Sequence, residues 1–204
     1  MVVFNKYQES FKTKHAKTVM SVEDFFKLAK TDPGTYASPW TRLLKAIGPA
    51  KIVDTALVPR LSIIHESSKI RVFESFSKFY GMEDIIDRIV KFIENAEKGL
   101  EEKKQILYLL GPVGGGKSSL AEHIKSLMEV EPIYVLSFND IILPTLEGPL
   151  SLFTKDDARA LKLDKIVPIR RFKDIKSSYL NTILQEIEGD LSKLSVVRMY
   201  PSRS

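Results

Sequence analysis

The chain has 204 residues, 44% hydrophobic and 28% charged, with a net charge of +5. That is ordinary for a soluble globular protein and leaves room for one α/β domain plus a smaller appendage. The absence of cysteine excludes a disulfide framework and a thiolate metal site, and no apolar run approaches the length of a membrane span.

The N-terminus, Met1 to Ser10, lacks the basic-then-apolar form of a signal peptide, so the expected compartment is the cytoplasm. Two helices are expected next. Ser21 is placed to cap a helix from Val22 to about Lys30, with Glu23 and Asp24 in its acidic first turn and Val22, Phe25, Phe26 and Ala29 as its apolar stripe. Asp32-Pro33-Gly34 is a turn. Ser38 caps a second helix that has Pro39 at its first position and ends at Gly48. Trp40, Leu43, Leu44 and Ile47 form its inner face, with Trp40 as a packing anchor. These helices form an N-terminal helical region over residues 1–60, and residues 61–204 form the main domain.

Residues 49–80 read as irregular, with a short strand at Ile70–Phe73. Met82 to about Lys98 is a strong amphipathic helix. Its buried face is Ile85, Ile86, Ile89, Phe92, Ile93 and Ala96, and Gly99 is its C-cap. Its place just before the next strand suggests a lid or flank.

Ile106-Leu107-Tyr108-Leu109-Leu110 has the length and apolarity of a buried strand. Gly111-Pro112-Val113-Gly114-Gly115-Gly116-Lys117-Ser118 follows, and it fits the phosphate-binding pattern G-x-x-x-x-G-K-[ST]. Ser119 to Met128 then reads as a helix with Leu120, Ile124, Leu127 and Met128 on one face. The residue types suit the chemistry. Glycines let a ring of backbone N–H groups close around phosphate oxygens. The new helix adds free N–H groups, those near Ser119 included, and a partial positive charge. Lys117 is suited to the β- and γ-phosphates, and the Ser118 hydroxyl to Mg²⁺. The expected ligands are ATP and Mg²⁺.

Further on, Ile133–Leu136 is a second strand, Pro144–Phe153 a loop, and Thr154–Lys176 charged and poorly periodic. Ser178–Ile187 is a helix broken by Gly189-Asp190, and Ser195–Tyr200 is a last strand. Nucleotide hydrolysis or transfer usually needs an acid at the end of a neighbouring strand. Asp140 is the only carboxylate near such an end, and it stands as a candidate for touching the metal. His15, His65 and His123 are scattered and read as surface or helix-face residues. Lys and Arg alternate with acids, which argues against nucleic acid as a partner, and the basic stretch Lys165–Lys176 reads as a solvated loop. Neither H-R-D nor D-F-G occurs, so the eukaryotic protein-kinase architecture is excluded.

Several segments together resemble the N-terminal part of the PrkA-type serine protein kinases, whose ATPase core is similar to the AAA+ class. They are Asp32 to Ala37, Phe79 to Asp84, Gly99 to Glu122, Pro132 to Leu136, and Gly189 to Lys193 with the following Val-Val-x-x-Tyr-Pro-Ser. The likeness spans nearly the whole chain, is most specific over residues 79–122, and is poor over 154–176. It implies an α/β fold, a P-loop NTPase with a parallel sheet flanked by helices, here with an incomplete core. It implies that Tyr80, Gly81 and Met82 line an adenine pocket; read from the residues alone, they are equally an ordinary start for the Met82 helix. It implies phosphoryl transfer to serine of a protein substrate, and a ring of like subunits. Walker B, sensor and arginine-finger positions would lie beyond the point matching Ser204, with Arg203-Ser204 as the place where the chain departs from the family. The alternatives are an AAA+ ATPase that remodels or degrades proteins, and a truncated nucleotide-binding protein without catalysis.

Overall fold

The computed structural model describes residues 18–63, 69–112 and 114–201. Met1–Ser10, His15, His65, Val113 and Arg203-Ser204 lie outside these. The chain divides into two compact units: Ala37–Glu131, and the described residues through Tyr36 together with those from Pro132 on.

The first-and-last unit is built on an antiparallel sheet. Its strands are β1 (Thr18–Ser21), β4 (Ile133–Phe138), β5 (Ile141–Ile142) and β6 (Leu194–Met199), in the order β1-β6-β4-β5. β6 is central, pairing Thr18 with Arg198 on one side and Leu136 with Val196 on the other. Helix α1 (Val22–Thr31) starts as its sequence dictates: the Ser21 hydroxyl accepts from Asp24 N–H at 3.0 Å. Its stripe of Val22, Phe25, Phe26 and Ala29 is buried with Leu136, Leu194 and Val196. Phe25 meets the Tyr134 ring at 5.5 Å, and Phe26 meets Phe153 at 5.6 Å. Two helices complete this unit, α6 (Lys155–Ala160) and α7 (Ser178–Glu186), and Leu180 and Ile183 of α7 enter the same core.

The middle unit packs helices on a small ribbon. Its elements are α2 (Pro39–Ile47), α3 (Pro59–Ser62), α4 (Glu83–Lys98) and α5 (Lys117–Met128), with β2 (Ala50–Asp54) paired antiparallel to β3 (Lys69–Phe73). Ser38 caps α2 by accepting from Thr41 N–H at 3.1 Å, and Gly99 ends α4 in the left-handed conformation at φ +85°. Leu43, Ile47, Ile86, Ile89, Val90, Ile93, Leu120 and Leu127 form the core, with Trp40 packed against it. Arg71 on β3 ties the ribbon to α4 through Asp87 and Glu94, its guanidinium lying 5.2 Å from the Phe73 ring centre.

Several expectations need correction. Every pairing between strands among the described residues is antiparallel, so the sheet is not the parallel P-loop sheet that the sequence suggested. The physical cause is where the strands find partners. Ile133–Phe138 takes its strand partners from β5 and β6, both antiparallel to it. Ile106–Leu110 itself is not a strand. It carries no sheet pairing, and Ile106, Tyr108 and Leu110 are 88%, 77% and 84% exposed. Only Leu109 packs on the core. Residues 49–80 hold the β2–β3 ribbon instead of being irregular. On α4, Ile85 is exposed and Val90 takes the buried place.

Candidate functional site

The candidate site lies in the middle unit, at the junction of the glycine loop with α5. Gly116 is the N-cap of α5 and supplies no side-chain cap; the first intrahelical bond runs from Leu120 N–H to Gly116 C=O at 2.9 Å. Helix geometry therefore leaves the N–H groups of Lys117, Ser118 and Ser119 without intrahelical acceptors. The Ser118 and Ser119 side chains are exposed. Gly114 and Gly116 have φ of +81° and +73°, a region that side-chain-bearing residues avoid. At Gly115 a Cβ would stand 3.1 Å from Pro112 O. Glycine chemistry is thus used for conformation at two positions and for space at a third.

Lys117 is half-buried and folds back over the loop. Its Nζ donates to Gly111 O at 2.7 Å and to Pro112 O. An anion entering the loop would meet this ammonium beside the free N–H groups of the helix start. The fit to a phosphate group is therefore good in conformation, donors and charge. Val113 lies outside the described residues.

The segment ahead of α4 is brought to the same loop. A Cβ at Gly116 would stand 3.3 Å from Met82 Sδ. Met82 is also the N-cap of α4, without a side-chain cap bond, so it serves the helix start and touches the loop at once. Gly81 has φ +74°, and Tyr80 is 71% exposed. His123, half a helix along α5, is half-buried. Its Nε2 is 2.7 Å from Ser75 O, and its ring meets Phe76 and Phe79, each at 5.2 Å. The spacing of the histidines gave no sign of this contact.

Asp140 occupies a turn. Asn139 and Asp140 have φ of +49° and +62° between the paired residues Phe138 and Ile141. They form the two-residue turn of the β4–β5 hairpin, for which Asn and Asp are favoured. The Asn-Asp dipeptide between apolar runs was the signal for it. Among the described residues no group of three or more His, Cys, Asp or Glu could hold a metal ion.

Comparison with known proteins defines the class. The family profile of the PrkA AAA domain matches residues 20–204, so the chain is an AAA domain, a class that implies a nucleotide site. It belongs to the PrkA family. It is 43% identical to the serine/threonine kinase YeaG of Escherichia coli strain K12, over 99% of this chain and 31% of that protein. It is 26% identical to the ATP-dependent protease PrkA of Bacillus subtilis strain 168, over 86% of this chain and 24% of that protein. The chain thus spans less than a third of the length of these curated relatives. No solved structure matches it. Among the described residues, no helix is long and apolar enough to cross a membrane.

Proposed function

We propose that this chain is the ATP-binding module of a PrkA-type serine protein kinase. The loop 111–118 binds the phosphates of ATP-Mg²⁺, with Lys117 on the β- and γ-phosphates and the Ser118 hydroxyl on the metal. Tyr80, Gly81 and Met82 meet the adenine. The observation that carries this reading is the Lys117 ammonium held over the glycine loop, next to the uncapped start of α5. The 43% identity to the serine/threonine kinase YeaG favours transfer of the γ-phosphoryl to a protein serine. A cytoplasmic location and a ring of like subunits belong to the same proposal. With the purified protein, label from γ-labelled ATP should appear on protein serine and be lost in Lys117→Ala.

A second reading rests on the Bacillus subtilis relative, whose name is that of an ATP-dependent protease. Under it, ATP turnover drives degradation of a client protein. Phosphate release with loss of intact client and no labelled serine would favour it.

A further inference from the structure

We infer that His123 is a positioning residue for base recognition: from α5 it holds the segment 75–82 in register with the glycine loop. The inference rests on the nucleotide reading of that loop and adds a role to a residue outside the phosphate-binding pattern.

Two contacts join α5 to this segment, and they are matched in spacing. Gly116 faces Met82, and His123 faces Ser75. Seven positions separate Gly116 from His123, and seven separate Met82 from Ser75. Seven residues are close to two helical turns, so Gly116 and His123 lie on one side of α5. The segment runs back along that side. A carbonyl oxygen only accepts, so His123 Nε2 donates to Ser75 O. The imidazole also sits edge-on to Phe76 and tilted against Phe79, whose rings are 6.1 Å apart.

Between the two anchors Phe76 is buried in the middle core and Phe79 packs against it. Tyr80 is largely exposed, and Gly81 takes a left-handed φ open to many conformations. Phe76, Ser77, Phe79, Glu83 and Ile86 border a pocket of about 30 Å³, so the packing behind the segment is not solid. Removing the His123 anchor takes away the contact two turns along α5 and leaves Met82 against Gly116. The phosphate donors stay in place, because they belong to the loop and the first turn of α5. The consequence is selective: contacts to the base loosen and contacts to phosphate do not.

The test is isothermal titration of the 204-residue chain with ATP, GTP and tripolyphosphate, each with Mg²⁺. Wild type, Lys117→Ala, His123→Ala and His123→Gln are compared. His123→Ala should weaken ATP about tenfold, the loss expected for one hydrogen bond with its ring contacts, and should compress the ATP-to-GTP preference. Tripolyphosphate affinity should be unchanged. His123→Gln keeps a donor at a similar reach and should return ATP to within about twofold of wild type. If His123→Ala does not fold, Phe79→Leu removes a ring that His123 packs against and carries the same expectation. Unchanged ATP binding, equal weakening of ATP and tripolyphosphate, or a Gln variant as weak as Ala would overturn the role. A wild-type chain that binds ATP no better than Lys117→Ala would instead overturn the nucleotide reading, and this inference with it.

Discussion

The Met82 sulfur lies against the last glycine of the loop: a Cβ on Gly116 would stand 3.3 Å from Sδ. This contact joins the start of α4 to the start of α5, the two helix ends that meet at the candidate nucleotide site. It also makes Gly116 doubly constrained, by its φ of +73° and by its neighbour.

Gly116→Ala should therefore destabilise the chain by about 1–2 kcal/mol, the cost of a left-handed conformation for a residue with a side chain. It should also weaken ATP binding. Met82→Ala in the same chain should recover part of the loss by making space for the methyl group, and none of the part due to φ. Urea unfolding of the two single variants and the double variant measures the coupling. Strictly additive effects would show that the Met82 contact is not felt.

Thr154 and Asp157 form a reciprocal cap on α6: Asp157 N–H donates to Thr154 Oγ1 at 3.1 Å, and Thr154 N–H donates to Asp157 Oδ2 at 2.9 Å. The Thr154 backbone bond, with Lys176 also bound at 2.9 Å, holds the Asp157 carboxyl down to about 2 from 3.8. A depressed carboxyl pKa stabilises the fold above its unfolded value, and the gain fades as pH falls from about 4 through about 2. Asp157 is 42% exposed at its side chain, so solvent screening discounts the electrostatic part. Asp157→Ala should cost about 1 kcal/mol at neutral pH, the typical worth of a cap, and much less at about pH 2. Urea midpoints at the two pH values check this; an equal loss at both would show that the carboxylate charge is not involved.

Asp140 in the β4–β5 turn should tolerate glycine. Asp140→Gly suits the positive φ and should leave stability within about 0.5 kcal/mol and Mg²⁺-dependent ATP binding unchanged. Loss of Mg²⁺ dependence in this variant would place Asp140 at the metal site.

The exposed face of Ile106–Leu110 should be insensitive to substitution. Tyr108→Ser should change stability by no more than about 0.5 kcal/mol, whereas Leu109→Ala, which opens packing against the middle core, should cost about 1–2 kcal/mol. Equal, large losses at both positions would mean that Tyr108 is buried in solution.

The local signals were legible in the sequence. Ser21 and Ser38 cap helices where their spacing says, Gly48 ends the Ser38 helix and Gly99 ends α4, and a helix begins directly after the last glycine of the pattern. What the sequence hid depends on partners far along the chain. An apolar run such as Ile106–Leu110 has a strand's composition, but only a neighbouring strand makes it one. Thr18–Ser21 pairs with Ser195–Arg198 across most of the chain, and no local pattern announces that. The Thr154–Asp157 cap and the Asn139-Asp140 turn were readable and were obscured by the charged residues around them. At the site, Gly111–Ser119 stood out as a pattern, while the meeting of His123 with Ser75 exists only once α5 and the 75–82 segment are packed.

Binding of ATP to the loop 111–118 through Lys117 underlies every functional proposal for this chain. Isothermal titration of Mg²⁺-ATP into the purified 204-residue chain and into Lys117→Ala tests it most directly. Saturable binding by the wild type and at least about a tenfold loss in the variant are expected, since a charge-assisted contact is worth roughly 1.5–3 kcal/mol. Equal affinity in both chains, or no binding by a folded wild type, would contradict it.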